Sequence, residues 1–287
     1  MHKIYSDGCL RCSRVWNWTS KRISTKTSLQ SAYEMHDSSS VALTNDHNLL
    51  RRLQNTVPRG APFDTQTLKG LGISSSLASY YIKSGWIKRL GRGVFGFPNA
   101  PLNREVSIKL LAHSLPELHV GGKTALSWQG FRHNIATRER LVLWGKERAR
   151  LPAWFTSEFP SRYVSKQLFS AALPTGFGLQ PLPEQPDGPL VSVPERALLE
   201  LLGEIGQGEG IEEARHIVET LDSLRGDVLT TLLQHCESVK VNRLCVKWAA
   251  EFGLPWADTA REAARDNLGR GRWSRKLRDG TTLNLPA

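Results

Sequence analysis

Residues 64–97 carry two short apolar periods, split by a glycine turn and followed by a basic, glycine-rich reversal. Few small folds accept that order. In DTQTLKGLG, Asp64 or Thr65 can cap a short helix whose inward positions are Leu68 and Leu71, with Gly70 and Gly72 making the turn. In ISSSLASYYIKSG, Ser74 or Ser75 caps a second helix with Leu77, Ala78, Tyr81 and Ile82 facing inward, and Gly85 stops it with a positive φ. WIKRLGRGVFGF then reads as a hairpin: Trp86 to Leu90 going out, Gly91-Arg92-Gly93 at the tip, Val94 to Phe97 returning. Upstream, HNLLRRLQNTV places Leu49, Leu50 and Leu53 on one helical face, and Pro58-Arg59-Gly60 ends it. Helix, helix, tight turn, helix and basic hairpin make a winged helix-turn-helix pattern. The expected fold class is α+β, with a winged helix-turn-helix domain over residues 45–98 followed by a larger mixed α/β domain over residues 99–287.

The second helix of the pair would be the recognition helix, showing Ser75, Ser76, Ser79, Tyr80 and Lys83 outward. Short hydroxyls let a helix sit deep in a major groove, and an arginine at a hairpin tip reaches a phosphate or the minor groove. The candidate DNA-binding residues are therefore Ser75, Ser76, Ser79, Tyr80, Lys83, Arg89 and Arg92. Adjacent Lys88 and Arg89 should face opposite sides of the strand. The charge supports a polyanion partner. The chain's net charge is +11, of which residues 1–100 hold +9, residues 101–200 +3 and residues 201–287 −1. A further basic cluster, RGRWSRKLRDG, lies near the C-terminus. The same apolar pattern with solvated cations also suits a winged helix used only for protein contacts, so a non-catalytic adaptor is the alternative.

Residues 1–44 lack a sustained hydrophobic period and read as a flexible N-terminal extension, with Met35 as an alternative start. Cys9 and Cys12 give two metal ligands and His2 a third at a terminus, which makes a poor zinc site. With four cysteines in 287 residues, no secretory signal and no apolar run long enough to span a membrane, the expected compartment is the cytoplasm.

Beyond Pro98-Asn99-Ala100-Pro101, REVSIKLLAHSL reads as a helix with Val106, Leu110 and Leu111 buried. Val120 ends a short strand, and a helix starting near Thr124 is closed by Gly130. RERLVLWG and YVSKQLF read as strands, and Val193-Pro194 as a strand end entering a helix with Leu198, Leu199, Leu201 and Leu202 buried. Helices are expected over 211–224, 227–235, 239–252 and 260–268, and a last strand over 281–285.

The inventory for catalysis is thin. Gly121-Gly122-Lys123 lacks the upstream glycine of a phosphate-binding loop, because the position five before Gly122 is Glu117. None of the eight histidines forms a close metal pair. His235-Cys236 has no orienting third group, and Cys236 and Cys245 fall at apolar helix positions. Glu195-Arg196 reads as an ion pair or a helix cap. No enzyme activity, cofactor or metal is expected.

Three segments together resemble the AbiEi-type antitoxins of type IV toxin–antitoxin systems and related transcriptional regulators. They are the helix and wing ISSSLASYYIKSG…RLGRGVFGF, HVGGKTALSWQG at 119–130, and LVSVPERALLELL at 190–202. The likeness covers about 240 of the 287 residues. It implies repression of the protein's own operon through the winged helix, at inverted repeats in double-stranded DNA near its promoter. It also implies a C-terminal domain that counteracts a nucleotidyltransferase-like toxin encoded alongside, although some relatives are solitary regulators. The second and third motifs match Gly121, Gly122, Thr124, Pro194, Glu195 and Arg196, whose expected role is to stabilise the fold.

Overall fold

The computed structural model describes residues 47–131, 140–276, 280 and 282–285. The expected N-terminal extension, its cysteine pair and Met35 lie outside them. A helix over residues 47–56 (α1) opens the described part, with Leu50 and Leu53 buried and Leu49 half-buried. Residues 52–287 form one compact unit.

In that unit β1 (Phe63–Asp64) leads into α2 (Thr65–Gly70) and α3 (Ser75–Lys83), then β2 (Lys88–Gly91) and β3 (Val94–Gly96). Two short helices and then a hairpin is the element order expected for this segment. β1 adds itself to β3, through Phe63↔Phe95 and Asp64↔Val94, to make a three-stranded sheet. Phe63, Phe95 and Phe97 cluster beneath it, at 5.5 to 6.1 Å between ring centres. Ala78 and Tyr81 of α3 are buried while Leu77 and Ile82 are half-buried.

The larger part is mixed α/β. α4 (Arg104–Ala112) precedes β4 (His119–Val120), α5 (Gly122–Trp128), β5 (Leu141–Trp144), α6 (Ala153–Glu158) and β6 (Ser161–Val164). Next along the chain are β7 (Leu179–Gln180), β8 (Val191–Ser192) and α7 (Pro194–Glu204). A five-stranded sheet runs β6-β5-β4-β8-β7, with β5–β6 and β4–β8 parallel and the other two pairs antiparallel. Helices α8 (Ile211–Glu219), α9 (Gly226–Gln234), α10 (Val239–Glu251) and α11 (Ala257–Ala264) come after α7. The last elements are a hairpin of β9 (Trp273–Lys276) and β10 (Thr282–Leu285). The core gathers around α7, where Leu198, Leu199, Leu201 and Leu202 are all buried.

Three expectations need correction. The helix expected over 211–224 ends at Glu219. Val106 is 36% exposed and Leu110 half-buried; Ser107, Ile108 and Leu111 are the buried positions of α4. The second large-domain strand is Ser161–Val164, earlier than YVSKQLF suggested, because it ends where Leu168 and Phe169 turn into the core.

Candidate nucleic-acid interface

The turn between α2 and α3 is set by local hydrogen bonds. Asp64 caps α2, its Oδ1 accepting from Thr67 N at 2.8 Å. Ser74 caps α3, its Oγ accepting from Leu77 N at 3.2 Å. Between them Gly72 holds φ +82°, and beyond α3 Gly85 holds φ +75°, a conformation L side chains resist. The packing of Ala78 and Tyr81 turns Ser75, Ser76, Ser79, Tyr80 and Lys83 outward, and all five are exposed.

The hydroxyls differ in what they can offer. Ser79 Oγ donates to Ser75 O at 2.8 Å, so its lone pairs face outward as acceptors. Ser76 Oγ lies 2.9 Å from Ser74 Oγ and shares the capping bond network. Tyr80 is 53% exposed, its ring 6.1 Å from that of Tyr81.

The wing is shorter than its sequence suggests. The ladder runs Lys88↔Gly96, Arg89↔Phe95 and Gly91↔Val94, with a bulge between Arg89 and Gly91. Arg92 and Gly93 form the tip, Gly93 at φ +71°. Thr65 N donates to Gly93 O at 3.1 Å, which ties the tip to the first turn of α2. Lys88 and Arg89 are both exposed. Arg89 leans over its cross-strand neighbour Phe95, 5.9 Å from the ring centre.

Between α2, α3 and the wing lies a groove of about 280 Å³. Leu68, Ile73, Ala78 and Phe95 form its apolar floor, and Ser75, Ser79, Arg89 and Arg92 stand along its walls. Four of the seven residues read from sequence therefore meet at one groove, while Ser76, Tyr80 and Lys83 lie beside it. Lys69 and Thr65 also line it and were not among the sequence candidates. Lys69 is the basic residue of the last turn of α2. Among the described residues, His113 Nδ1 lies 3.9 Å from Asp64 Oδ2, a contact that leaves the cations of the groove out.

The two downstream motifs meet each other instead of forming a reaction site. Glu200, buried in α7, accepts from Gly122 N at 2.9 Å, Ser192 Oγ at 2.8 Å and Arg196 Nε at 2.9 Å. His119 Nε2 adds a fourth contact at 3.0 Å. Burial would raise this carboxyl; His119, Arg196 and Ser192 outweigh it and hold the group at about 2. The N-terminus of α5, where a phosphate loop would bind its anion, thus already carries a carboxylate. A Cβ on Gly121 would fall on Glu200 Oε2 and 2.5 Å from Trp144 Cδ1, so the glycine is required by close approach.

Glu195 and Arg196 do not pair with each other. Adjacent helical side chains diverge, and Glu195 takes Arg225 N, Nε and Nη2 at 2.7 to 3.0 Å. Arg196 turns to Glu200 and to Phe177 O. Cys236 and Cys245 are buried thiols, Cys236 pushed up to about 11 by burial. His235 Nδ1 lies 3.1 Å from Ser170 Oγ, which gives Cys236 no base. Among the described residues no three His, Cys, Asp or Glu side chains are placed to hold a metal ion. No helix there is long and apolar enough to cross a membrane.

Fold and surface thus define a mixed α/β protein, with a small helix-and-hairpin segment ahead of a larger domain. The family described as "Transcriptional regulator, AbiEi antitoxin, Type IV TA system" matches residues 138–282, and "Transcriptional regulator, AbiEi antitoxin N-terminal domain" matches residues 46–137. The chain belongs to this AbiEi antitoxin family of transcriptional regulators. The crystal structure of the RV2827C protein from Mycobacterium tuberculosis is similar in fold, with a TM-score of 0.52 at 14% identity. The similarity covers 77% of this chain and 80% of that one. The comparison with curated protein sequences gives no match.

Proposed function

We propose that the chain is a non-catalytic, cytoplasmic DNA-binding autorepressor and antitoxin. Its segment 45–98 binds double-stranded DNA as a winged helix-turn-helix, at inverted repeats near its own promoter. Its segment 99–287 counteracts a nucleotidyltransferase-like toxin. The observation that carries the DNA reading is the groove between α3 and the wing, with Ser75, Ser79, Arg89 and Arg92 on its walls. α3 presents short side chains to a major groove, and Arg92 at the tip meets a phosphate or the minor groove. Ser79, donating to its own helix, reads as an acceptor and so selects a cytosine or adenine amino group.

The test is a titration of the full chain with DNA from upstream of its gene, at several salt concentrations. If Lys69, Lys83, Arg89 and Arg92 each neutralise one phosphate, the log–log slope is about −3 to −4 per half-site. Arg92→Ala should weaken operator and scrambled duplexes alike if it touches phosphate, and lose preference for AT-rich flanks if it enters the minor groove. Ser79→Ala should reduce discrimination between the two duplexes. No detectable binding at low salt would reject the reading in favour of a protein-binding adaptor.

A further inference from the structure

The larger domain holds a second cavity, of about 200 Å³, at the carboxyl ends of the parallel pair β5–β6. In α/β sheets this end is where crevices receive ligands. Trp144, Gly145 and Lys146 lead from β5 into its wall, residues 166–171 and 173–176 form a second side, and Arg196 and Glu200 of α7 close the back.

The charges around it do not cancel. Lys146 pairs with Glu117 at 3.2 Å. Both nitrogens of His119 face acceptors, Nδ1 the Glu117 carbonyl at 2.7 Å and Nε2 the Glu200 carboxylate at 3.0 Å. Glu200 is in contact with both His119 Nε2 and the Arg196 guanidinium, at 3.0 and 2.9 Å. Lys166 donates to a neutral carbonyl, Gly203 O, at 3.1 Å. Burial and nearby Arg275 push the Lys166 ammonium down, and Glu204 pulls it back only in part. On the lining, Lys146, Lys166 and Arg196 stand against Glu117 and Glu200, a surplus of one positive charge.

The geometry is also prepared. Glu200 and Phe177 O fix the Arg196 guanidinium, which lies 5.0 Å from the centre of the Phe169 ring. Phe169, Leu173 and Pro174 supply an apolar side. The volume is below the ~300–1,000 Å³ of pockets for drug-sized molecules, so the occupant is small.

We propose that this cavity binds a small organic anion, a carboxylate or phosphate head on a short apolar body. The head lies at Lys166 and Arg196 and the body against Phe169 and Leu173. The proposal is independent of the DNA reading, since it concerns a different face of the fold and needs no nucleic acid to test.

The experiment is calorimetric titration of the full chain with benzoate, phenyl phosphate and the neutral benzyl alcohol. Saturable binding of at least one anion is expected, with the alcohol weaker by about tenfold or more. Preference between the two anions then assigns the head group. Lys166→Gln should weaken the bound anion by about tenfold, while Lys247→Gln, on exposed α10 surface, leaves it unchanged. Ala171→Trp, at an exposed position on the cavity wall, should block binding by occupancy without touching the charge network. The proposal is overturned if neither anion saturates by about 10 mM. It is equally overturned if benzyl alcohol binds as well as benzoate, or if both Lys166→Gln and Ala171→Trp bind like the parent chain.

Discussion

Glu200 is a buried polar side chain that ties α7 to the 119–122 segment, about 80 positions upstream, and to the nearby strand β8. Gly122 belongs to α5, Ser192 to β8 and His119 to β4, and all three meet on one carboxylate. A buried ion network is weak evidence for stability as a whole, yet removing one partner strands the others. Glu200→Gln leaves Arg196 without its counter-ion, and is expected to cost about 3–5 kcal/mol in denaturant unfolding at pH 7. A cost under about 1 kcal/mol would show that the network is solvated. Glu200 is depressed from 4.5 to about 2, so its contribution is present above 4.5 and lost as pH falls from there toward 2. Lys240 works in the opposite window. Its Nζ donates to Gly203 O and Ile205 O at 2.8 and 3.1 Å, at the end of α7. Burial first, then Lys166, lowers it from 10.5 to about 7. The unfolded chain then holds that proton more firmly, so stability rises with pH between about 7 and 10.5. Lys240→Met should flatten that rise, and an unchanged slope would assign it to another group.

The wing shows how one element is shaped by another. Gly91 needs no unusual φ, but a Cβ there would sit 2.9 Å from Cδ1 of Trp154 in α6. Trp154 is 8% exposed and has little room to retreat. Gly91→Ala is therefore expected to cost about 1–3 kcal/mol by overpacking. Trp154→Phe in the same chain should recover part of it, since neighbouring substitutions couple. Additive losses in a double-mutant cycle would place the strain elsewhere. Neither residue advertises this contact in sequence, because they are far apart along the chain. What is legible locally is what local forces decide. Asp64, Ser74, Gly72 and Gly85 carry helix starts and stops in their own chemistry, and the Leu stripe of α7 carries its burial. The two-residue strands β1, β4, β7 and β8 have no period to read, because two residues hold no alternation and their partners lie up to 71 positions away, as in Val120↔Val191. β9 is hidden for a similar reason: WSRK becomes a strand only because TLNL returns beside it. At the candidate interface, Ser75, Ser79, Arg89 and Arg92 are readable from helix spacing and the glycine turn. Lys69 is not, since its place at the groove depends on how α2 lies against the wing.

At the scale of the molecule, residues 52–98 are seated on the larger domain. Asn103 N donates to Gly60 O at 2.8 Å. Gly60 holds φ +87°, and a Cβ there would meet Pro101 O at 2.6 Å, so both conformation and space demand glycine. Leu90 and Val94 of the wing pack, half-buried, against the core that contains Trp154. The division of labour proposed above therefore has a measurable cost. The fragment 99–287 keeps all five strands of the large sheet and helices α4 to α11, so it is expected to fold and to carry toxin neutralisation. It loses the apolar cover that the wing gives Trp154, so it should melt several degrees below the full chain. A loss of about 1 kcal/mol shifts the melting midpoint of a domain this size by roughly 2–4 °C. Trp154→Gln in the fragment should return part of that loss, because the ring is then exposed to water, and should lower the full chain, where the ring is covered. Coexpression of the soluble fragment with the proposed nucleotidyltransferase-like toxin reads the second half of the proposal. Restored growth supports a neutralising domain that works without residues 52–98. Failure to restore growth, with the fragment folded and abundant, would reject this division of labour.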